Sequence, residues 1–267
     1  MTQSSIFDLQ GRVALVTGAG QGVGRAIALA LADHGAGGIV VNDFHADRAN
    51  AVVGEVRARG VPASAMVADV TDLNQVRAGV LVAEAALGEL SILVNNAGNA
   101  GPIGFPSELP LFWETEPERW RQFVDVNLFG VMNCCHAVLP GMARRGYGRV
   151  VTIVSDAGRT LASRMADYAA AKAAASGFMR GLAADAARFG ITANCISIST
   201  ITPRLPDKLL QQMLASDRSK RQLASYAVRR YGEPEDIVGA AVLLCSGAAS
   251  WITGQTYPVN GGYSATL

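Results

Sequence analysis

Tyr168 and Lys172 stand four residues apart in a stretch of helical periodicity, which puts a phenol and an ammonium on one helix face. Taken alone such a pair is common on solvated helices. Ser155, however, lies thirteen residues before Tyr168, at the end of the apolar run Val150 to Val154, and the C-terminal ends of parallel strands are where open α/β sheets bind ligands. Asn95-Asn96-Ala97-Gly98 closes another such run, and Asn127 sits in Asp125-Val126-Asn127 at the next helical stretch. These groups suit proton transfer in one cleft. Ser155 lacks a nucleophile-elbow motif and has no nearby histidine in sequence, so a hydrolase nucleophile is excluded. His34, His45 and His136 read as helix, loop and core residues.

A second constellation follows the first apolar run. Thr17-Gly18-Ala19-Gly20-Gln21-Gly22-Val23-Gly24 leads straight into Arg25-Ala26-Ile27-Ala28-Leu29. Glycines there permit a tight turn and let backbone amides approach a phosphate at a helix N-terminus. The spacing is GxxxGxG, not the general GxGxxG, so a purely structural turn is the competing reading. Asp43 ends the second run nineteen residues after Gly24, where a carboxylate can accept hydrogen bonds from ribose hydroxyls and repel a 2′-phosphate. Its alternative role is an N-cap for the helix starting near Ala46. With no Arg or Lys at Gln21, Asn42 or Phe44, NAD is expected rather than NADP.

The elements that must position these groups alternate. Strand-like runs at Val13 to Thr17, Ile39 to Asp43, Ala65 to Asp69, Ile92 to Asn95, Arg149 to Ser155, Thr192 to Ser197 and Thr256 to Val259 are separated by helical patterns. The helical stretches are Gly24 to His34, Ala46 to Arg59, Val76 to Leu87, Glu118 to Arg145, Ala166 to Phe189 and Pro234 to Cys245. That rhythm predicts an α/β fold of Rossmann type, a doubly wound parallel sheet in a single domain over residues 1–267. Between Pro203 and Arg230 the rhythm breaks into a basic, Pro-flanked excursion, the expected helical substrate lid at about residues 200–230.

Composition narrows the partners. The net charge is +1 and charged residues make up 17%, so no global field selects nucleic acid or an anionic membrane. Cys134, Cys135, Cys195 and Cys245 lack metal-ligand spacing and read as buried free thiols, with no metal expected. Met1 to Gln10 lacks the character of a signal peptide and no later apolar run reaches the length of a membrane span, so a cytoplasmic setting is expected.

Together these motifs resemble the short-chain dehydrogenase/reductase family in its form of about 250 residues. The resemblance rests on Thr17 to Gly24, Asp69-Val70, Asn95 to Gly98, Asn127, Ser155 with Tyr168 and Lys172, Ile252-Thr253-Gly254-Gln255, and Val259-Asn260-Gly261-Gly262, in that order over nearly the whole chain. It implies an NAD-dependent enzyme that interconverts a secondary alcohol and a ketone. Gly18, Gln21, Gly22, Val23 and Gly24 would hold the cofactor phosphates, Asp43 its ribose, Asp69 and Val70 its adenine, and Asn95, Ala97 and Gly98 its channel. Tyr168 would be the general acid/base, Ser155 would polarise the substrate oxygen, Lys172 would hold the nicotinamide ribose, and Asn127 would hold a relay water. A free tyrosine has a pKa of ~10, and poising it near 7 takes roughly 4 kcal/mol. A nearby ammonium and an oxidised nicotinamide can supply that.

The chain also departs from the family. A Pro-Gly pair usually found after the sixth strand is replaced by Ile198-Ser199, leaving Thr200 or Thr202 to reach the carboxamide. The loop after Gly98, through Pro102, Pro106, Pro110, Leu111, Phe112 and Trp113, is long and either walls the substrate pocket or packs at a subunit contact. Asp156 meets a polar substrate group, lies exposed to solvent or serves a local turn. The segment Arg204 to Arg230 carries seven basic and two acidic residues, which would steer an anionic thioester or merely solvate a helix face. Its Leu205, Leu209, Leu210, Met213 and Leu214 would cover an apolar substrate. Small residues at Ala169 to Ala175 and the apolar stretch Phe123 to Met142 point to helix pairing between subunits, and the family implies a homotetramer. The competing functions are a catalytically silent nucleotide-binding scaffold and an NAD-dependent epimerase or dehydratase.

Overall fold

Apolar runs that bury both faces pair as parallel strands between helical layers, and a computed structural model, describing residues 5–101, 109–202 and 206–265, shows that arrangement. The strands are β1 (Val13–Val16), β2 (Gly38–Asp43), β3 (Ala63–Val67), β4 (Leu90–Asn95), β5 (Gly148–Ser155), β6 (Ile191–Ile198) and β7 (Thr256–Val259). They form one parallel sheet in the order β3-β2-β1-β4-β5-β6-β7. The chain works outward from β1 to β3, then returns to β4 on the other side of β1. That reversal opens a crevice at the C-terminal ends of β1 and β4.

The helices are α1 (Gly22–Asp33), α2 (Ala46–Arg57), α3 (Leu73–Leu87), α4 (Pro117–Val124), α5 (Gly130–Arg145), α6 (Ala166–Ala186), α7 (Asp207–Ala215), α8 (Asp217–Ala224) and α9 (Pro234–Cys245). Alternate residues of each strand serve opposite layers. Ala14, Val16 and Val41 pack with Ile27 of α1, Val52 of α2 and Val242 of α9. Leu15, Val40 and Leu93 pack with Val80 of α3, Val138 of α5 and Met179 of α6. The fold is a Rossmann-like single domain, as the alternation predicts.

One expected helix is broken. The stretch read as Glu118 to Arg145 divides into α4, a π-helical turn at Asp125–Phe129, and α5. The Asn127 side chain donates to the carbonyl of Phe123 at 3.0 Å, taking the acceptor that an α-helical amide would use and widening the turn. By length and composition Pro117–Arg145 could cross a membrane, contrary to the expectation that no run is long enough. Val131, Cys134, Cys135, Val138 and Met142 of this stretch are nevertheless buried in the core beneath the sheet. All four cysteines are buried and free. Burial pushes the thiols of Cys135 and Cys245 up to about 12 and that of Cys195 to about 11, so they stay protonated and inert.

At the end of β5 remote from Ser155, the buried Arg149 closes the fold. Its guanidinium donates to the carbonyls of Ser246 at 3.2 Å, Gly148 at 2.9 Å and Gly190 at 3.4 Å, and stacks over Tyr147. Arg149→Met leaves those acceptors without their charged donor, and the expected cost is about 3 kcal/mol in urea denaturation. The folded fraction should keep wild-type activity, because roughly 20 Å of strand separates Arg149 from Ser155.

Candidate active site

A tight turn at the sheet reversal needs glycine because other backbone comes too close. Gly18 has φ +60°, and a Cβ there would lie 2.8 Å from Ala97 Cα. A Cβ on Gly24 would lie 2.4 Å from both Asn96 Nδ2 and the Gly18 carbonyl. The hydroxyl of Thr17 accepts from the amides of Asn96 at 3.0 Å and Ala97 at 3.1 Å, while Asn96 Nδ2 donates to the carbonyls of Thr17 and Gly18, both at 3.0 Å. Gln21 caps α1 through its extended backbone without a side-chain bond, which leaves first-turn amides for a phosphate. A cleft of about 480 Å³ runs from Gly18, Gln21 and Gly22 past Asp43 and Asp69 to Ala97 and Gly98. A dinucleotide fits this cradle: the glycines admit its phosphates and the carboxylates lie at the far end.

Asp43 closes the loop from outside. Its carboxylate accepts from Gly20 N at 3.0 Å and from His45 N at 2.9 Å. The N-cap of α2 is His45, so the capping alternative for Asp43 is replaced by a clamp on the glycine loop. A Cβ on Gly20 would stand 2.6 Å from both Asp43 Oδ2 and Arg48 Cβ. Arg48 of α2 thus stands beside this loop, a cation that inspection of Gln21, Asn42 and Phe44 alone does not find. Asp69 Oδ1 accepts from the amide and hydroxyl of Thr71 at 2.9 and 2.8 Å, and Asn133 of α5 holds the Val70 carbonyl at 2.9 Å. Asp69 and Val70 line the cleft.

Asn95 does not line it. Its side chain turns into the core, donating to Thr152 Oγ1 at 3.2 Å and Cys135 Sγ at 3.5 Å. In the final register of β4 the next residue, Asn96, faces the cleft instead. Strand alternation flips the side chain with each residue, and a pair of adjacent asparagines does not reveal which one is inward.

Ser155 and Tyr168 share a hydrogen bond, and Asn127 and Lys172 come together beside Gly98. A Cβ on Gly98 would lie 3.0 Å from Asn127 Oδ1 and 3.2 Å from Lys172 Nζ. Lys172 Nζ donates to the Ile153 carbonyl at 3.0 Å, and burial lowers its pKa to about 8. The Tyr168 ring packs edge-on against Phe123, with centroids 5.8 Å apart. Burial raises the pKa of its hydroxyl, and the hydrogen bond with Ser155 offsets part of that rise. The phenol sits in an apolar wall with Phe123 and Met165, so desolvation dominates; the expected lowering calls on the oxidised nicotinamide as well as the ammonium. Asn127 has its side chain engaged within the chain. Its amide pairs with both backbone groups of Asn99, donating at 2.8 Å and accepting at 3.2 Å, so the side chain is occupied in holding the loop after Gly98.

Ser155 and Tyr168 open into a cavity of about 850 Å³ walled by Phe123, Leu161, Met165, Ile201, Met213 and Tyr263. Val23 lines it too, which joins it to the start of α1. Ala100, Gly101 and Leu109 of the long loop also line it, whereas Phe112 and Trp113 are exposed; Pro102 and Pro106 lie outside the described residues. Phe112 stacks on Trp120 at 4.9 Å. From the expected lid, Met213 reaches the cavity along with Arg221, Gln222 and Ser225, whereas Leu209 is half exposed. Leu205, Arg204 and the side chain of Arg218 lie outside the described residues. Part of the lid charge is neutralised, because Arg230 pairs with Asp236 and Lys220 with Asp217. Thr200 lines the cavity, and Thr202 donates instead to Glu233 at 2.8 Å.

The geometry meets its match in known proteins. A family profile described as enoyl-(acyl carrier protein) reductase matches residues 18–264. The chain is 37% identical over 262 residues to the 7alpha-hydroxysteroid dehydrogenase of Escherichia coli strain K12, covering 98% of both chains. The chain belongs to the short-chain dehydrogenase/reductase family. The 3-oxoacyl-(acyl-carrier-protein) reductase FabG of Staphylococcus aureus strain Mu50 is 35% identical over 253 residues, 93% of this chain and 96% of that one. Among solved structures, a 7 alpha-hydroxysteroid dehydrogenase complexed with NADH and 7-oxo glycochenodeoxycholic acid superposes with a TM-score of 0.86 at 35% identity, covering 98% of each chain. A gluconate 5-dehydrogenase from Burkholderia cenocepacia J2315 in complex with NADP and tartrate gives 0.85 at 34%, also covering 98% of each. This short-chain dehydrogenase/reductase is an oxidoreductase acting on CH-OH groups.

Its least legible member is Asp156, which lines the cavity and is not exposed to solvent as one expectation had it. The side chain is buried at 2% exposure and accepts from Ser197 Oγ and Asn260 Nδ2, both at 2.7 Å, with Arg159 Nη1 at 3.6 Å. It therefore ties the ends of β5, β6 and β7 together directly behind Ser155, and it gives Asn260 of the Asn-Gly-Gly segment a physical reason. Asn260→Asp would set two carboxylates about one hydrogen bond apart, and such a pair folds only by taking up a shared proton. Because the folded variant then binds more protons than the unfolded chain, its stability should fall as pH rises. Thermal melts between pH 5 and 8 should show the variant losing ground steadily to wild type; parallel curves would remove the shared-proton account.

Proposed function

We propose that this short-chain dehydrogenase/reductase uses NAD(H) to interconvert an apolar secondary alcohol and its ketone. What supports the proposal is the hydrogen bond of Ser155 with Tyr168 in the wall of the apolar cavity, with Lys172, one helical turn on, next to Gly98 of the dinucleotide-sized cleft. Gly18, Gln21, Gly22, Val23 and Gly24 would hold the phosphates, Asp43 the adenosine ribose, and Asp69 with Val70 the adenine. Ala97 and Gly98 would line the path toward Lys172, which would hold the second ribose, with Thr200 at the carboxamide. When bound, the nicotinamide supplies the hydride acceptor or donor for the carbon bearing the substrate oxygen.

The residues of this chain handle the proton. Ser155 donates a hydrogen bond to the substrate oxygen, and Tyr168 gives that oxygen its proton in reduction or takes it in oxidation. In the free site burial holds the phenol protonated, so the phenolate needs the positive charge that assembles with Lys172 and the oxidised cofactor. The ammonium of Lys172 is itself lost above about 8, so cofactor affinity should weaken as pH rises past that value. With its side chain occupied by Asn99, Asn127 contributes to a water relay through the backbone of its π-helical turn.

The cavity favours an alicyclic or medium-chain ketone over a free sugar, because Phe123, Leu161, Met165 and Met213 offer it apolar contact. An alicyclic or 3-hydroxyacyl thioester fits the same wall. The hydroxysteroid dehydrogenase relative supports the alicyclic class, and the pairing of Arg230 and Lys220 with acids weakens the case for steering an anionic thioester. Exposed Phe129 and Met132 beside α5, with the small-residue face of α6, support a homotetramer, and the proposed setting is cytoplasmic.

Tyr168→Phe keeps the ring and removes the proton; kcat should fall by about a thousandfold while cofactor affinity, read by fluorescence titration, stays level. Full activity in that variant would sink the mechanism. Asp43 opposes a 2′-phosphate while Arg48 beside it offers a cation, so the preference depends on the carboxylate. Asp43→Ala should lower the ratio of kcat/KM for NAD over NADP on the order of tenfold, and a wild type that prefers NADP would refute the NAD assignment.

A further inference from the structure

The loop after β6 lacks the Pro-Gly pair, and a group of buried side chains stands behind it. Ser199 and Thr200 line the large cavity with Tyr168. Behind them Tyr226 and Tyr231, 2% and 3% exposed, pack edge to face with centroids 6.1 Å apart. A buried phenol must place its proton on an acceptor. The Tyr231 hydroxyl lies 3.0 Å from Gln222 Oε1, its one partner among the described residues. Its proton therefore goes to Oε1, and Gln222 Nε2 is left to donate to Thr200 Oγ1 at 2.8 Å.

The accounting continues through the neighbouring phenol. The Tyr226 oxygen accepts the Thr200 amide at 3.2 Å, and Ser199 Oγ is its one acceptor among the described residues, so the buried phenol places its proton there. Both Thr200 and Ser199 thus receive a hydrogen bond from behind. Each keeps its own hydroxyl proton for the cavity.

We infer that Gln222 and Tyr226 are positioning residues that aim the Thr200 and Ser199 protons at the carboxamide oxygen of the nicotinamide. Through Gln222 of α8, which also lines the substrate cavity, cofactor contact is coupled to the helical segment over the substrate. This inference rests on the nicotinamide-binding reading of the cleft. It assigns to a hydrogen-bonded relay the rigidity that a Pro-Gly backbone would otherwise give.

Changing the relay's direction tests it. Gln222→Glu keeps the shape but replaces the donor with an acceptor, which turns the Thr200 proton away from the cavity. Gln222→Leu merely frees that hydroxyl. Calorimetric titration with NADH, and with ADP-ribose, which has no carboxamide, separates aim from scaffolding. Thr200→Val and Gln222→Glu should each weaken NADH by about tenfold, Gln222→Leu by less, and ADP-ribose affinity should not move. In the Thr200→Val background Gln222→Glu should add nothing. Tyr231→Phe, which releases the amide, should show a smaller loss confined to NADH, and it carries the test if Gln222→Glu does not fold. Equal losses for both ligands, additive losses in the double variant, or tighter NADH binding by Gln222→Glu than by Gln222→Leu would each overturn the inference. A wild type that binds neither ligand would instead remove the dinucleotide reading on which it rests.

Discussion

The hydroxyl of Thr17 receives the amides of Asn96 and Ala97, while the Asn96 side chain returns two hydrogen bonds to the carbonyls of Thr17 and Gly18. This stitch joins the ends of β1 and β4 where the strand order reverses. A crevice at that point is a consequence of topology, but its width is not. By pulling the glycine loop onto Asn96 and Ala97, the stitch leaves no room for a Cβ at Gly18 or Gly24. It also brings the segment ending at Gly98 against Lys172 and Asn127. The glycine-loop end and the Lys172 end of the cleft are therefore held by the same few bonds.

Around this stitch two buried carboxylates each have partners. Asp156 is held by Ser197, Asn260 and Arg159, and Asp167 by Arg119 at 2.7 Å and by the amide of Tyr168 at 2.9 Å. A buried carboxylate without such partners would be expelled or neutralised. Arg119 also lies over the Phe123 ring, and Phe123 packs on Tyr168. The phenol is thus located through both its backbone and its ring. Lys172 is the contrasting case: its one hydrogen bond among the described residues goes to a carbonyl, and burial depresses its pKa.

Much of this was legible in the residue pattern, for a physical reason. Continuous apolar runs separated by helical stretches leave few options besides a parallel sheet, and the glycines after β1, Ser155 at the end of β5 and the Tyr168 to Lys172 spacing are local features. What was not legible depends on contacts between distant segments. The pattern does not say which of Asn95 and Asn96 faces the cleft, because a strand's phase is set by its neighbours. Nor does it show Arg48 beside Gly20, the Asn127 side chain bonded to Asn99, or the burial that raises the Tyr168 pKa. Asp156 is the sharpest instance: its meaning comes from Asn260, more than a hundred residues away.

The loop after β6 shows how a departure from a family pattern can be compensated by means the pattern does not contain. Proline and glycine shape a backbone by restricting or releasing φ, an effect carried within two residues. Ile198 and Ser199 cannot do that, so the path must be held from outside. Here it is held by Tyr226, by Gln222 and Tyr231, and by the mutual backbone bonds of Thr200 and Thr202 with Gly232, at 3.0 and 2.7 Å. A path shaped by proline is rigid whether or not the rest of the site is formed. A path held by side chains of α8 and the turn after it is rigid only while those elements are in place, which makes the cofactor side of this cleft dependent on the segment that covers the substrate side.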